Sequence, residues 1–489
     1  MYMDSKGVFP IAHLISGAPP ESGSNSVEEY TTIICKERPF SDLRAPFVLV
    51  PQYFGCTVFD RSTSRYLPFD HEATQLLVRL CSAPINEILA EQCDQQSQRQ
   101  ITRFFEDFYD LGFFTLDGKF LGSVLQVQPP EDHLVGPLAV HLEVVAACNL
   151  ACKHCFAGDL PRREQALSIN ELDRLFQSLA DMGAFRLGLT GGEPLLRRDL
   201  FDIIDLATNH GLHPCVTTNG LLISEEIAQE FGKRKLVWLN VSLEGATAES
   251  NDLVRGRGTF TQVRRNLALL AQHSRFTLAF TIMKSNFEEV EQCAELAYQV
   301  GAHTAVFRPL YPVGSALHNL NLMPTFQEYG QALNRLAAMA TQSKSELCAL
   351  DPFSPQARSG AQAITHTNYG CGAGNQVCSI SISGDVNPCS FLGRDFVAAN
   401  IRQQPFANIW HSSRGFKEIR ALPGPGSSDD CESDAFSGGC RARALVFNGS
   451  VNAPDPWLTD QRAWRKSQTS CGDNRSPLYH PLTILEVTK

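Results

Sequence analysis

Apolar positions recur along this chain with two different periods. Ile101, Phe104, Phe105, Phe108 and Tyr109 fall at i, i+3, i+4, i+7 and i+8, which predicts a helix with one wide apolar face. Ahead of it, FVLV (47–50), CTVFD (56–60) and SRYLPF (64–69) read as short strands parted by turn residues. Three helical stretches follow, the last closed by Gly112. FFTL and KFLG flank Asp117-Gly118, a strong hairpin signal. Together these predict a winged-helix-like α+β domain over residues 45–125. Residues 1–44, rich in Ser, Gly, Pro and Glu without a steady period, read as a mobile N-terminal segment, and 126–140 as a linker.

From His141 the pattern becomes a regular alternation. HLEVVAA (141–147) is an apolar run of the kind that forms a strand buried on both faces. Ser168 and Glu171 form a capping box ahead of Leu172, Leu175, Phe176 and Leu179, with Gly183 as the stop. Strand patterns, with the turn residues that end them, recur at 186–194, 214–220, 235–245, 275–283 and 303–310, with a Ser224-capped helix and one capped by Thr259 and Gln262 among the segments between them. Six β–α units in sequence predict an α/β domain, a partial (β/α)6 barrel over 141–345 that falls short of the eight units of a closed one. In such sheets chemistry sits at the C-terminal strand ends, and the motifs here end strands.

The first strand delivers Cys148, Cys152 and Cys155. Four thiols would suggest a closed zinc or iron–sulfur site, whereas three leave one iron of a [4Fe–4S] cluster open. The triplet alone also allows a structural zinc. Cys-x3-Cys-x2-Cys followed by the aromatic Phe156 resembles the cluster loop of the radical S-adenosylmethionine (SAM) enzymes. That resemblance implies that the open iron takes SAM's methionyl group, and that reductive cleavage yields a 5′-deoxyadenosyl radical. Gly191-Gly192-Glu193-Pro194 begins 36 residues after Cys155, at the next strand end. Its glycines allow close backbone approach, and the resemblance implies that it holds the SAM amino group. Thr217-Thr218-Asn219-Gly220 and Ser242-Leu243-Glu244-Gly245 end the third and fourth strands. The resemblance implies cofactor contacts for Asn219, Ser242 and Glu244, although Asp is more usual where Glu244 stands. Arg255 matches a family arginine near the SAM carboxylate; as a residue of NDLVRGRG it could equally face solvent.

A second cysteine field begins at Cys371. Cys371, Cys378 and Cys389 surround Gly384, and Gly438-Gly439-Cys440 leads into RARA. This resembles the SPASM extension, which typically carries two auxiliary [4Fe–4S] clusters, and assigns 346–489 to such a domain. The resemblance implies that Cys371, Cys378, Cys389 and Cys440 fully ligate one auxiliary cluster. For a second, the family's positions fall on Ser427, Asp430, Phe436 and Trp457, with Cys431, Asp434 and Cys471 nearby but off register. That cluster is expected to be missing or unusually ligated. Most other cysteines read as small buried hydrophobes.

The bulk numbers narrow the partners. The 489 residues carry a net charge of −10, which disfavours a nucleic-acid platform. No apolar run is long enough to span a bilayer, and no export signal precedes the first domain. Sixteen cysteines in such a chain suit metal ligation in a reducing cytoplasm. The N-terminal pattern resembles the PqqD-like peptide-recognition domain of radical SAM peptide maturases. What this implies is a radical SAM oxidoreductase that modifies a ribosomally synthesised precursor peptide (a RiPP), bound through its leader, with a reductant such as ferredoxin or flavodoxin. Crosslinking, epimerisation and excision all start from the same radical. Two alternatives stand beside it: a small-molecule or cofactor maturase of the haem-pathway type, and a non-catalytic metal-binding scaffold for peptide or DNA.

Overall fold

The computed structural model describes residues 44–158, 165–340, 343–349, 371–422, 439–458 and 460. The expected N-terminal segment therefore lies almost wholly outside the described residues. The chain divides into two units, Met1–Val135 and Gly136–Lys489.

In the first unit β1 (Phe47–Gln52), β2 (Gly55–Asp60) and β3 (Arg65–Phe69) form an antiparallel meander, and β4 (Gly122–Val124) joins the far side of β1 in parallel. Three helices intervene: α1 (His71–Leu80), α2 (Ile85–Ala90) and α3 (Gln95–Tyr109). The Asp70 and Asp94 carboxylates cap α1 and α3 by accepting from Ala73 N and Ser97 N. Ile101, Phe104 and Phe108 bury the predicted face against Phe47, Phe69, Phe113 and Phe120, while Phe105 and Tyr109 pack at its edge. The expected hairpin is reduced to one antiparallel bridge, Phe114 to Phe120, around Gly118 at φ +79°. Phe113 and Phe114 are both buried. Two consecutive core residues break the in–out alternation that a ladder needs, and the chain turns instead into β4.

In the second unit all six predicted strands form: β5 (Ala139–Val145), β6 (Arg186–Gly191), β7 (His213–Thr218), β8 (Leu239–Ser242), β9 (Thr277–Ile282) and β10 (Thr304–Pro309). Every neighbouring pair is parallel. The intervening helices are α4 (Ile169–Asp181), α5 (Leu200–Asn209), α6 (Glu225–Gly232), α7 (Ala248–Arg255), α8 (Thr259–His273) and α9 (Val290–Gln299). The capping box of α4 is complete. At α8 the cap differs from the expected Thr259. Gly258 precedes the helix at φ +84°, and the Asp252 carboxylate accepts from Gly258 N and Phe260 N.

The sheet also reaches further than six strands. After α10 (Phe326–Ala340), β11 (Glu346–Ala349) pairs in parallel with β10, so residues expected to open the C-terminal domain extend the barrel. On the opposite edge β12 (Val377–Ile380) pairs in parallel with β5, followed by antiparallel β13 (Asp385–Asn387) and β14 (Ala399–Asn400). Short helices α11 (Phe406–Ser412), α12 (Arg414–Ala421) and α13 (Arg441–Asn448) complete the described part of that region. Ala139 and Val140, read as linker, are strand residues.

Burial alternates along the barrel strands. Val140, Leu142, Leu187, Leu189, Val216 and Val241 are sealed under the helices. Their neighbours His141, Thr190, Cys215, Thr217, Ser242, Thr281 and Arg308 are half-open or exposed. The sheet therefore has one packed face and one open concave face, and the open face lines a lumen.

Candidate cluster and SAM site

The three-thiol loop leaves the C-terminal end of β5 and is fixed by backbone bonds to α7 and to the turn that follows β10. Lys153 N donates to Val254 O, and Ser315 N donates to Cys155 O. Gly314 has φ +56° and lies so close to the loop that a Cβ would come 2.3 Å from Phe156 O. Cys148 is exposed, and Cys152 and Cys155 are half-buried. Burial pushes the Cys152 thiol up to about 11 against the pull of Arg255. A neutral thiol is the expected form without metal, because ligation releases the proton. Among the described residues no three His, Cys, Asp or Glu side chains converge on a single-ion site.

Gly191 and Gly192 serve a purpose beyond ligand approach. Gly191 has φ +130°, and a Cβ there would sit 2.2 Å from Val145 O; one on Gly192 would sit 2.1 Å from Ala147 O. Gly192 N and Glu193 N donate to Val145 O and Ala147 O at 2.7 and 2.8 Å. The glycines thus let the β6 end lie directly on the segment that delivers Cys148. Glu193 is 1% exposed. Its carboxylate accepts from Thr218 Oγ1 (2.6 Å), Asn219 N (2.7 Å) and Leu195 N (3.1 Å). Asn219 Nδ2 then donates to Asn149 Oδ1 at 2.7 Å and lies 4.0 Å from Cys148 Sγ. The GGEP and TNG motifs are therefore one bonded unit behind the cysteine loop.

Glu244 is also 1% exposed. Its carboxylate, expected to reach the cofactor, accepts from His154 Nε2 (3.0 Å), Arg255 Nη2 (2.6 Å) and Thr281 N (2.7 Å). Burial alone would raise its pKa, but His154 and Arg255 pull it down to about 2. Arg255 is 8% exposed, at the end of α7 rather than in a solvent-facing loop. Arg255 Nε and His154 Nδ1 are buried without a partner. An unsatisfied donor on a buried cation beside the thiols fits an anionic group at this place. Ser242 ends β8 half-buried, opposite Ala279 of β9. His154 and Asn149 were not singled out in the sequence. Their position inside and beside the triplet was the available signal.

The second cysteine set also comes together. Cys371, Cys378 and Cys440 are buried and Cys389 is half-buried. Burial pushes Cys389 up to about 12, with Cys371 adding to it, and raises Cys440 and Cys378, with Cys371 and Cys389 respectively contributing. These four thiols feel one another, which suits the corners of one four-thiolate cluster. The Arg441 guanidinium lies beside the Cys371 thiol and donates to Val451 O and Leu422 O. Arg443, 0% exposed, pairs with the equally buried Asp455 at 2.8 Å. Asp455 also accepts from Cys440 N at 2.5 Å and Trp457 N at 3.0 Å. Trp457, on which a second-cluster ligand position falls, is core: it stacks on Tyr329 and lies beneath Arg443. Ser427, Asp430, Cys431, Asp434, Phe436 and Cys471 lie outside the described residues.

One apolar cluster joins the two thiol sets. Phe156 packs with Cys371, Cys389 and Cys440. Its ring meets Phe391 edge-on, and Phe391 stacks on Tyr311 at 4.5 Å.

A parallel partial barrel whose first strand ends in three thiols, backed by bonded motifs from the next strand ends, defines a radical SAM site. Comparison with known proteins makes this membership: the chain belongs to the radical SAM superfamily. That family's model, the radical SAM superfamily, matches residues 142–297, and an iron–sulfur cluster-binding domain, SPASM, matches 371–435. The mycofactocin maturase MftC of Mycolicibacterium smegmatis is 33% identical over 338 residues, 68% of this chain and 84% of that protein. The AdoMet-dependent heme synthase of Methanosarcina barkeri is 32% identical over 340 residues, 66% of this chain and 96% of that one. The crystal structure of Streptococcus suis SuiB bound to precursor peptide SuiA has a similar fold, with TM-score 0.64 and 15% identity over 84% of this chain and 98% of that chain. The protein is an enzyme that uses a [4Fe–4S] cluster and SAM. Among the described residues no helix is long and apolar enough to cross a membrane.

Proposed function

We propose that this enzyme modifies a ribosomally synthesised precursor peptide in the cytoplasm, using an external reductant such as ferredoxin or flavodoxin. Cys148, Cys152 and Cys155 hold the cluster that binds SAM. Phe156, Gly191, Gly192, Glu193, Asn219, Ser242 and Arg255 shape the SAM cavity, and Glu244 holds His154 and Arg255 in position. Cys371, Cys378, Cys389 and Cys440 hold one auxiliary cluster. When bound, cluster and SAM together supply one-electron cleavage of the sulfonium and hence a hydrogen-abstracting radical. The chain keeps that chemistry at the lumen, between buried carboxylates that position its polar side chains and the apolar cluster around Phe156.

The observation that carries the peptide reading is the extent of the likeness to SuiB. Eighty-four per cent of 489 residues is about 411, more than the 354 residues of Gly136–Lys489. The likeness must therefore enter the first unit, the one read as a leader-binding domain working by strand addition. A haem-pathway reading is favoured by the heme synthase similarity. The discriminating experiment reacts the anaerobically reconstituted enzyme, SAM and a reductant with the peptide encoded beside its gene, in heavy water. Loss of a hydrogen pair, uptake of a deuteron or loss of a fragment in the mass spectrum is the expected result. Turnover of a tetrapyrrole with none of the peptide overturns it, and equal turnover of leaderless peptide removes the first unit's role.

A further inference from the structure

The lumen holds a cation, Arg308, that neither the cluster nor the bonded motifs account for. Arg308 stands near the C-terminal end of β10, opposite Thr281 of β9. It occupies the half-open position of its strand, flanked by the buried Phe307 and Pro309. Its guanidinium senses Cys215 of β7, Cys348 of β11 and Tyr311. Strands as far apart as β7 and β11 meet at one side chain only across the concave face, so Arg308 points into the lumen. Its Nε is buried without a hydrogen-bond partner. Among the described residues no carboxylate pairs with it, including Glu143, the acid on the lumen side of β5. Around it on the lumen side stand the neutral Thr190, Cys215, Thr217, Ala279 and Thr281, and a second cation, Arg186 of β6, acts with it on Cys215 and His141.

A cation left this way in a confined space is costly unless an anion joins it. The other arginines near the site have partners: Arg255 pairs with Glu244, Arg443 with Asp455, and Arg186 lies over the Trp238 ring. A guanidinium fork with a free face suits a planar carboxylate held by two parallel bonds.

The geometry points to Arg308 as the receptor for a carboxylate of the substrate, anchoring the substrate in the lumen beneath the SAM site. This rests on the peptide reading for the source of the carboxylate, either the free chain end or an acidic side chain. Arg308 is thus a substrate-binding residue that sets which part of the peptide enters the barrel.

The test uses the SAM-loaded, cluster-replete full chain and small probes, so it does not require the peptide to be known. Equilibrium dialysis compares hippurate, which carries a chain-end carboxylate, with N-acetylglutamate α-amide, which carries a side-chain one, and each with its neutral amide counterpart. At millimolar concentration one carboxylate should bind and its amide should not. Arg308→Gln should weaken that binding on the order of tenfold or more, and Arg308→Lys should restore part of it. Iron content and SAM affinity report the variant's folding and should stay at the unaltered level. Failure of both carboxylates to bind the unaltered enzyme, or binding undiminished in Arg308→Gln, overturns the assignment. So does a tenfold loss of SAM affinity in Arg308→Gln, because Arg308 would then serve the SAM carboxylate. If the peptide reading alone is wrong, probe binding survives while the precursor peptide is left unmodified.

Discussion

Replacing Asp455 should damage the auxiliary thiol site far more than its distance in sequence suggests. Its carboxylate is 0% exposed and accepts from Cys440 N, Arg443 Nε, Arg443 Nη2 and Trp457 N. Hydrogen bonds to a buried charge contribute about 1.5–3 kcal/mol each, without adding simply. Asp455→Leu also leaves Arg443, 0% exposed, as an uncompensated cation. Loss of one partner of such a pair costs about 3–5 kcal/mol. Removing the stranded charge as well, in Asp455→Leu with Arg443→Leu, should return part of that cost, giving a coupling of about 2–3 kcal/mol. Urea unfolding of the four proteins of the cycle, followed by tryptophan fluorescence, measures it, because Trp457 lies 4.0 Å beneath the Arg443 guanidinium. Iron analysis of the same samples should find the auxiliary iron depleted, since the Cys440 amide has lost its acceptor. A single-variant cost below about 1 kcal/mol, or costs that merely add in the double variant, would refute the reasoning.

Four further outcomes follow from the site. Replacing Cys148, Cys152 and Cys155 together by Ala should abolish 5′-deoxyadenosine formation yet leave auxiliary iron bound. The unaltered chain should hold about eight irons, two four-iron clusters, rather than twelve, as counted by iron and sulfide analysis with Mössbauer spectroscopy. Gly192→Ala should cut SAM cleavage sharply with little loss of secondary structure, because a Cβ 2.1 Å from Ala147 O must push the cysteine loop outward; full activity in that variant would contradict the packing. Glu244, lowered from its ordinary 4.5 to about 2, contributes stability that is fully present above about 4.5 and lost as pH falls toward 2. Acid unfolding of Glu244→Gln should lack that component across this window.

Much of the second unit was legible because its strands are buried runs bounded by glycine, a local signal. The capping box of α4 and the wide face of α3 are likewise written within one helix. Long-range choices were not legible. ELCA (346–349) is a four-residue strand in polar surroundings, and only β10 beside it makes it one. The cap of α8 comes from Asp252, seven residues before Thr259, through a turn that spacing alone did not reveal. The site thiols were readable by spacing, whereas their supports were not. His154 and Asp455 matter through partners 90 and 15 residues away, Glu244 and Cys440, and only folding brings those together.

The pairing of β12 with β5 has a consequence for how the chain is made. Val377 to Ile380 pair with Ala139 to Leu142, so the outer edge of β5 has no strand beside it until 238 more residues have been synthesised. At ~5–20 residues per second that is about 10–50 s. Throughout that interval a row of unpaired amides and carbonyls lies next to the three cysteines, the arrangement most apt to recruit a foreign strand. Closing that ladder also carries a high loop-closure cost, which makes it a late step. A nascent chain of this enzyme is therefore most vulnerable to aggregation before Val377 emerges, and chains cut short before that residue should misassociate through β5.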